Sequence, residues 1–263
     1  MRCPRRAARA AIMLARPAGT EAPEEPVLRS LVCTTLLSAL CLIASAARAE
    51  NPVVRFSTIV GSYDVELCQE LSARCPGIAP NTVANFLAYV DADRYPPTSF
   101  IHRRGGSADG ASPLVVQGGG FWINGDGAAA SVATFPPVAR ELGAGLSNLR
   151  GTIAMARSTG VNTATSQWFI NLANNILLDG SYAVFGKVTD AVGMSVLDVI
   201  QSLTRYNLGS PFTEIPLIYY PGSGKAARHM VYVSSVERVP EPANAVGAAV
   251  AVSALAMRKW RRG

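Results

Sequence analysis

The sequence predicts a mainly β fold, a closed antiparallel barrel with two α-helices over its openings. Three observations carry that expectation. Short β-rich runs recur along the middle of the chain, only two stretches hold apolar residues at helical spacing, and glycine-rich loops, with 23 glycines in 263 residues, separate the runs.

The first pair of runs, Val53 to Ile59 and Tyr63 to Cys68, is interrupted by Gly61-Ser62 and reads as a hairpin. Pro80 then opens a stretch ending near Asp93. Val83, Phe86, Leu87 and Val90 share one helical face there, and proline suits a helix start because its missing N–H would have no partner in the first turn. Further strands are expected at Thr98 to Arg103, Leu114 to Gln117, Gly151 to Ala156, Gln167 to Asn171 and Tyr182 to Val188, and a last one at His229 to Val236. The second helix fits Val192 to Leu203, with Val192, Val196, Val199, Ile200 and Leu203 on its apolar face. From Thr204 to Arg228 the chain carries Pro211, Pro216, Pro221, Gly222 and Gly224, which predicts a long surface loop without regular structure.

A net charge of +6 would suit a nucleic-acid or anionic-membrane partner if it lay on the folded part. It does not. Residues 1–29 hold six Arg against Glu21, Glu24 and Glu25, the last stretch holds Arg258, Lys259, Arg261 and Arg262 against Glu241, and Glu50 to Arg238 carries 13 basic and 14 acidic side chains. No nucleic-acid partner is expected. The N-terminal segment runs from basic residues through apolar Leu31 to Ala44 and closes on Ala47-Arg48-Ala49, the small-x-small pattern cut by signal peptidase. Residues 1–49 therefore read as a signal peptide with an upstream start assigned too early, and Glu50 as the first mature residue.

Loss of that leader removes Cys3, Cys33 and Cys41 and leaves Cys68 and Cys75 as the remaining pair in an oxidising compartment. A disulfide is the natural reading, worth roughly 2–3 kcal/mol across so short a loop, and two free buried thiols are the alternative. Two cysteines with the distant His102 and His229 fall short of a metal-ligand set, so no metal is expected.

Phe100-Ile101-His102-Arg103, followed by Leu114-Val115-Val116-Gln117-Gly118-Gly119-Gly120-Phe121, resembles the His-Arg and Gln-Gly-Gly segments of cyclophilins. Gly151 to Arg157 (GTIAMAR), Asn162 to Asn171 (NTATSQWFIN) and Leu178 to Val188 (LDGSYAVFGKV) look like the bacterial version of the family, in the family's order, across most of Val53 to Val236. The resemblance implies an eight-stranded closed barrel over residues 50–238. It also implies an outer groove that binds proline-containing peptides and speeds rotation about the X-Pro bond without a cofactor.

By position in its block, Arg103 is the implied catalytic group. Gln117 and Gln167 would hold it and the peptide backbone, while Leu114, Val115, Phe169 and Leu178 would form the proline pocket. His102 is implied as groove-lining, because the reaction transfers no proton for it to carry. Ala156, Arg157, Leu177 and Tyr182 are carried onto substrate-binding positions as well. Leu114 replaces the phenylalanine that usually floors the pocket, Leu177 replaces a tryptophan that many members use to bind cyclosporin, and Tyr182 replaces a histidine. The connection Arg104 to Ser112 is longer than usual and borders the groove.

Val239-Pro240-Glu241-Pro242, apolar Ala243 to Met257 and basic Arg258 to Arg262 resemble the PEP-CTERM sorting tail of exported bacterial proteins, which assigns residues 239–263 to sorting. The resemblance implies a Gram-negative organism, transient membrane contact and processing by an exosortase, with the mature protein in the periplasm or at the cell surface or matrix. The expected partners are proline-containing segments of exported proteins, and a monomer is the expected state. The rival reading is a non-catalytic binding module of the same fold that holds Pro-rich segments at the cell surface or matrix.

Overall fold

The computed structural model describes residues 50–106 and 112–240. The expected leader, the expected sorting tail and most of the Arg104 to Ser112 connection lie outside them. Strands β1 (Val53–Thr58) and β2 (Gly61–Leu67) form the expected hairpin, in register from Val53 opposite Glu66 to Thr58 opposite Gly61. Helix α1 (Pro80–Asp91) starts on its proline and buries Val83, Phe86, Leu87 and Val90, as its spacing predicts.

The segment read as one strand from Thr98 to Arg103 is two, β3 (Ser99–Phe100) and β4 (Arg103–Arg104). The chain after Leu114 also divides, into β5 (Val115–Gly118) and β6 (Phe121–Ile123), and β7 (Ala129–Ser131) follows. Strands β8 (Thr152–Met155), β9 (Trp168–Asn171) and β10 (Val184–Val188) fall inside their predicted runs. Helix α2 (Ala191–Ser202) is capped by Asp190, whose Oδ1 accepts from the Gly193 amide at 2.8 Å.

Two expectations are corrected here. The inward face of α2 is Gly193, Leu197 and Ile200, while Val192 and Val199 are exposed. Gly193 sets that rotation, since a Cβ on it would stand 2.9 Å from the Tyr63 Cβ, so the helix approaches β2 by its bare backbone. The stretch after α2 is not free of regular structure. It forms a hairpin, β11 (Thr204–Tyr206) with β12 (Ile215–Leu217), and a 3-10 turn over Ala226–His229, before β13 (Tyr232–Arg238). Ile215 and Leu217 are buried with Phe100 and Met230 in a second apolar cluster, which gives the hairpin a core of its own.

The main sheet has eleven strands in the order β4-β5-β9-β8-β10-β2-β1-β13-β3-β6-β7. The hydrogen bonds draw an open, curled antiparallel ladder, with β4 and β7 at its ends, rather than a closed ring of eight. The difference arises where single chain segments divide. Ile101 and His102 separate β3 from β4, the glycines at 119 and 120 separate β5 from β6, and β3 pairs with β6 while β4 pairs with β5. Gly119 has φ +74, and a Cβ there would lie 2.6 Å from the Ser166 carbonyl oxygen, so only glycine fits the bend. The principal core fills the concave side around Phe56, Phe86 and Trp168, whose rings stand 4.9 to 6.0 Å from the Phe56 ring.

Candidate active site

Strand register builds a groove on the outer face of the sheet. Arg103 on β4 stands opposite Gln117 on β5, Gln117 opposite Phe169 on β9, and Phe169 opposite Ala154 on β8, so one row of side chains crosses four strands. Side chains alternate along β5, which turns Val115 and Gln117 outward and Val116 into the core. The resulting groove encloses about 310 Å³. Arg103 and Gln117 line it with Arg157 as its polar part, and Val115, Phe169, Ala156, Leu178 and Tyr182 as its apolar wall with Pro113 beside them.

Each polar side chain is held. Gln117 Nε2 donates to Gln167 Oε1 at 2.8 Å, which places Gln167 behind Gln117 rather than on the groove surface. A Cβ on Gly120 would lie 2.8 Å from the Gln167 Cδ, so glycine there leaves the amide its room. Arg103 Nε donates to Glu214 Oε2 at 2.8 Å, and Glu214 Oε1 accepts from Arg205 at 3.0 Å. On the far side, Arg157 Nε donates to the Ser181 carbonyl at 2.8 Å and its guanidinium lies 5.1 Å from the centre of the Tyr182 ring, which itself meets Phe169 edge-on at 5.4 Å.

The turn that carries Leu178 and Tyr182 rests on buried amides. Asn148 and Asn171 are fully buried, and Asn171 Nδ2 donates to Thr152 Oγ1 at 2.9 Å. Asn175 Nδ2 donates to Asn171 Oδ1 at 2.8 Å, and Asn175 Oδ1 accepts from the Leu114 amide at 3.1 Å, which ties the turn to the start of β5. Asp179 accepts from Ser147 Oγ at 2.5 Å and from the Asn148 amide at 2.7 Å. Burial opposes its charge, but these hydrogen bonds with that of Asn148 Nδ2 outweigh it and hold the carboxyl below its ordinary range.

Four residues carried onto the groove by resemblance are not among the side chains that line this cavity. His102 is buried behind Arg103 with its ring edge-on to Phe121 at 5.0 Å, and Leu114 packs against the principal core. Gln167 supports Gln117, and Leu177 projects into solvent from the 3-10 turn Ile176–Leu178, 80% exposed. Desolvation first, and then the Arg103 charge, lower the His102 pKa to about 4, so its imidazole is neutral at neutral pH. Cys68 and Cys75 form a disulfide with Cα atoms 5.2 Å apart. Among the described residues no three His, Cys, Asp or Glu side chains gather as a metal-ion site.

Sequence reasoning missed Pro113, Glu214, Arg205 and the amide network. For Glu214 the available signal was a lone acid inside an apolar β-rich run, Phe212 to Ile218, within what reads as a loop. Asn171 and Asn175 stand four apart at the end of a recognisable block, but only the fold shows both to be buried.

The family described as "Cyclophilin type peptidyl-prolyl cis-trans isomerase/CLD" matches residues 75–218. The chain is 37% identical over 187 residues to peptidyl-prolyl cis-trans isomerase A of Dickeya dadantii, spanning 69% of this chain and 87% of that protein. It belongs to the cyclophilin family. A second relative, a peptidyl-prolyl cis-trans isomerase of Acinetobacter baylyi, is also 37% identical, over 173 residues, spanning 64% of this chain and 81% of its own. Among solved structures, a cyclophilin-type peptidyl-prolyl cis-trans isomerase of Cryptosporidium parvum covers 73% of this chain and 99% of its own at 21% identity, with a TM-score of 0.49.

Proposed function

We propose that this cyclophilin is an exported peptidyl-prolyl cis-trans isomerase, with Arg103 as the group that lowers the rotational barrier. The observation that carries the mechanism is the placement of the Arg103 guanidinium, held by Glu214, in the same groove as an apolar wall large enough for a pyrrolidine ring. An X-Pro bond resists rotation because the nitrogen lone pair is shared with the carbonyl, with a barrier of about 18–20 kcal/mol. As the bond twists, the lone pair localises on a pyramidal nitrogen. A guanidinium N–H beside that nitrogen bonds to it in the twisted state and not in either planar state, which is the differential binding that catalysis requires. Val115, Phe169 and Leu178 seat the ring while Gln117 and the peptide backbone exchange hydrogen bonds, so that rotation occurs about one held bond.

The supports for export are the leader pattern of residues 1–49, the sorting-tail pattern of residues 239–263 and a disulfide, which belongs to an oxidising compartment. On this reading signal peptidase and an exosortase process the chain, the tail contacts the inner membrane in passing, and the clients are proline-containing segments of other exported proteins in the periplasm or at the cell surface.

A protease-coupled isomerisation assay on the mature chain from Glu50 tests the reading. Catalysis above the uncatalysed rate, lost in Arg103→Ala, is the expected result. Binding of proline peptides without catalysis would instead identify a binding module.

A further inference from the structure

We propose that Glu214, 111 residues from Arg103 in the chain, is a positioning residue that aims the Arg103 guanidinium into the groove. The inference rests on the isomerase reading above and assigns the support of its central group.

Half of the Arg103 side chain is exposed, and an arginine so placed has many rotamers open to it. Glu214 narrows that choice. A guanidinium carries one N–H on Nε and four on its two terminal nitrogens, so a carboxylate on Nε orients the plane without itself engaging either terminal nitrogen. The carboxylate is itself fixed. Its other oxygen accepts from Arg205 Nη1, which also donates to the Gly106 carbonyl at 2.8 Å and so ties the hairpin to the chain just past Arg103. The Glu214 carbonyl accepts from the Arg104 amide at 2.9 Å, next to Arg103 on β4.

The base of this bracket is apolar. Ile215 and Leu217 are buried against Phe100, which lies three residues before Arg103. One buried cluster thus seats both the hairpin and the segment leading into β4, and relative motion of the two carboxylate-linked arginines is restricted from below. One carboxylate shared by Arg103 and Arg205 leaves a net positive charge, so Arg103 remains an electron-withdrawing donor. An ion pair this exposed contributes little to stability. Its effect belongs to the transition state.

The test measures kcat and KM separately for wild type, Arg103→Ala, Glu214→Ala and Glu214→Gln in the mature chain. The Nε–H resonance of Arg103, assigned by its loss in Arg103→Ala, is followed in nitrogen-15 spectra. Glu214→Ala should lower kcat roughly five- to tenfold, the scale of immobilising one rotamer-rich side chain, with KM and the melting temperature nearly unchanged. The Arg103 Nε–H signal should broaden and move. Glu214→Gln, which keeps an acceptor oxygen in place, should recover most of the loss and sharpen the signal.

Equal or higher kcat in Glu214→Ala, or a change in KM alone, overturns the proposal. If that happens while Arg103→Ala is inactive, only the role of Glu214 falls. If wild type and Arg103→Ala are equally slow, the isomerase reading falls and this inference with it.

Discussion

The two ends of the groove are supported in opposite ways. At the Arg103 end the supports are charges at the surface, an ion pair with Glu214 and a second cation on the same carboxylate. At the Leu178 end the turn rests on neutral amides deep inside, Asn148, Asn171 and Asn175, with Asp179 bonded to Asn148 at the surface. The difference follows from what each end presents. A cation that must meet substrate cannot be buried without losing its hydration, so it is aimed from outside. An apolar wall gains from dryness, and the polar backbone that turns beneath it must then find every partner within the protein. On the proposed mechanism the exposed charges carry the chemistry, and the buried neutral groups carry stability.

The largest expected effect separates these roles. Arg103→Ala should lower kcat/KM about a hundredfold, the scale of removing one preorganised transition-state donor, while the melting temperature stays within the range of ordinary surface substitutions. Kinetics and thermal melts on the same preparation check it, and a large drop in melting temperature would break the distinction.

Acid should expose the buried side of the comparison through His102. Its folded pKa of about 4 lies below the value of about 6.5 for an unfolded histidine, so the unfolded chain takes up the proton first. Stability should be full above pH 6.5 and fall by about 3 kcal/mol as pH drops toward 4. Urea titrations across that range measure the slope. His102→Gln should flatten it, and an unchanged slope would assign the loss to other groups.

Asn171→Ala should cost on the order of 2–3 kcal/mol, because the partners it leaves are buried, yet the folded fraction should retain its catalytic rate at low temperature. Denaturant melts with kinetics below the transition test both halves. Reduction of the disulfide comes next, at about 2 kcal/mol. The segment directly after it, residues 76–78, packs on residues 143–146, where a Cβ on Gly77 would stand 2.0 Å from the Ala144 carbonyl oxygen, and Leu146 packs against the apolar wall. Melts with and without reductant measure the cost. A loss of activity exceeding the unfolded fraction would show that this bridge also shapes the groove.

The sequence made the β-rich segments, both helices and the cysteine pair legible because those depend on local patterns: alternation, helical spacing, glycine and proline placement. The groove's inner row was legible through the family resemblance. Leu114 shows where such transfer stops, since alternation from Gln117 already turns 115 and 117 outward and 114 with 116 inward. The split of β3 from β4 and of β5 from β6 was hidden because each half continues the pattern of the other, and only the choice of neighbour divides them. Glu214 was hidden for another reason. Its partner lies across a tertiary contact, and a proline- and glycine-rich stretch gave no local sign that Phe212 to Leu217 would bury itself.

The pairing of β1 with β13 places Ser57 and Ser234, 177 residues apart, in hydrogen-bond contact. A ladder that joins its first strand to its last cannot be completed while the ribosome still holds the C-terminal part of the chain. The β1–β13 edge consequently stays unpaired through nearly all of synthesis, and its closure depends on contacts of high sequence separation, which form slowly. On the proposed export route, a chain threaded through a translocation pore would likewise be unable to close this ladder until its last strand had crossed.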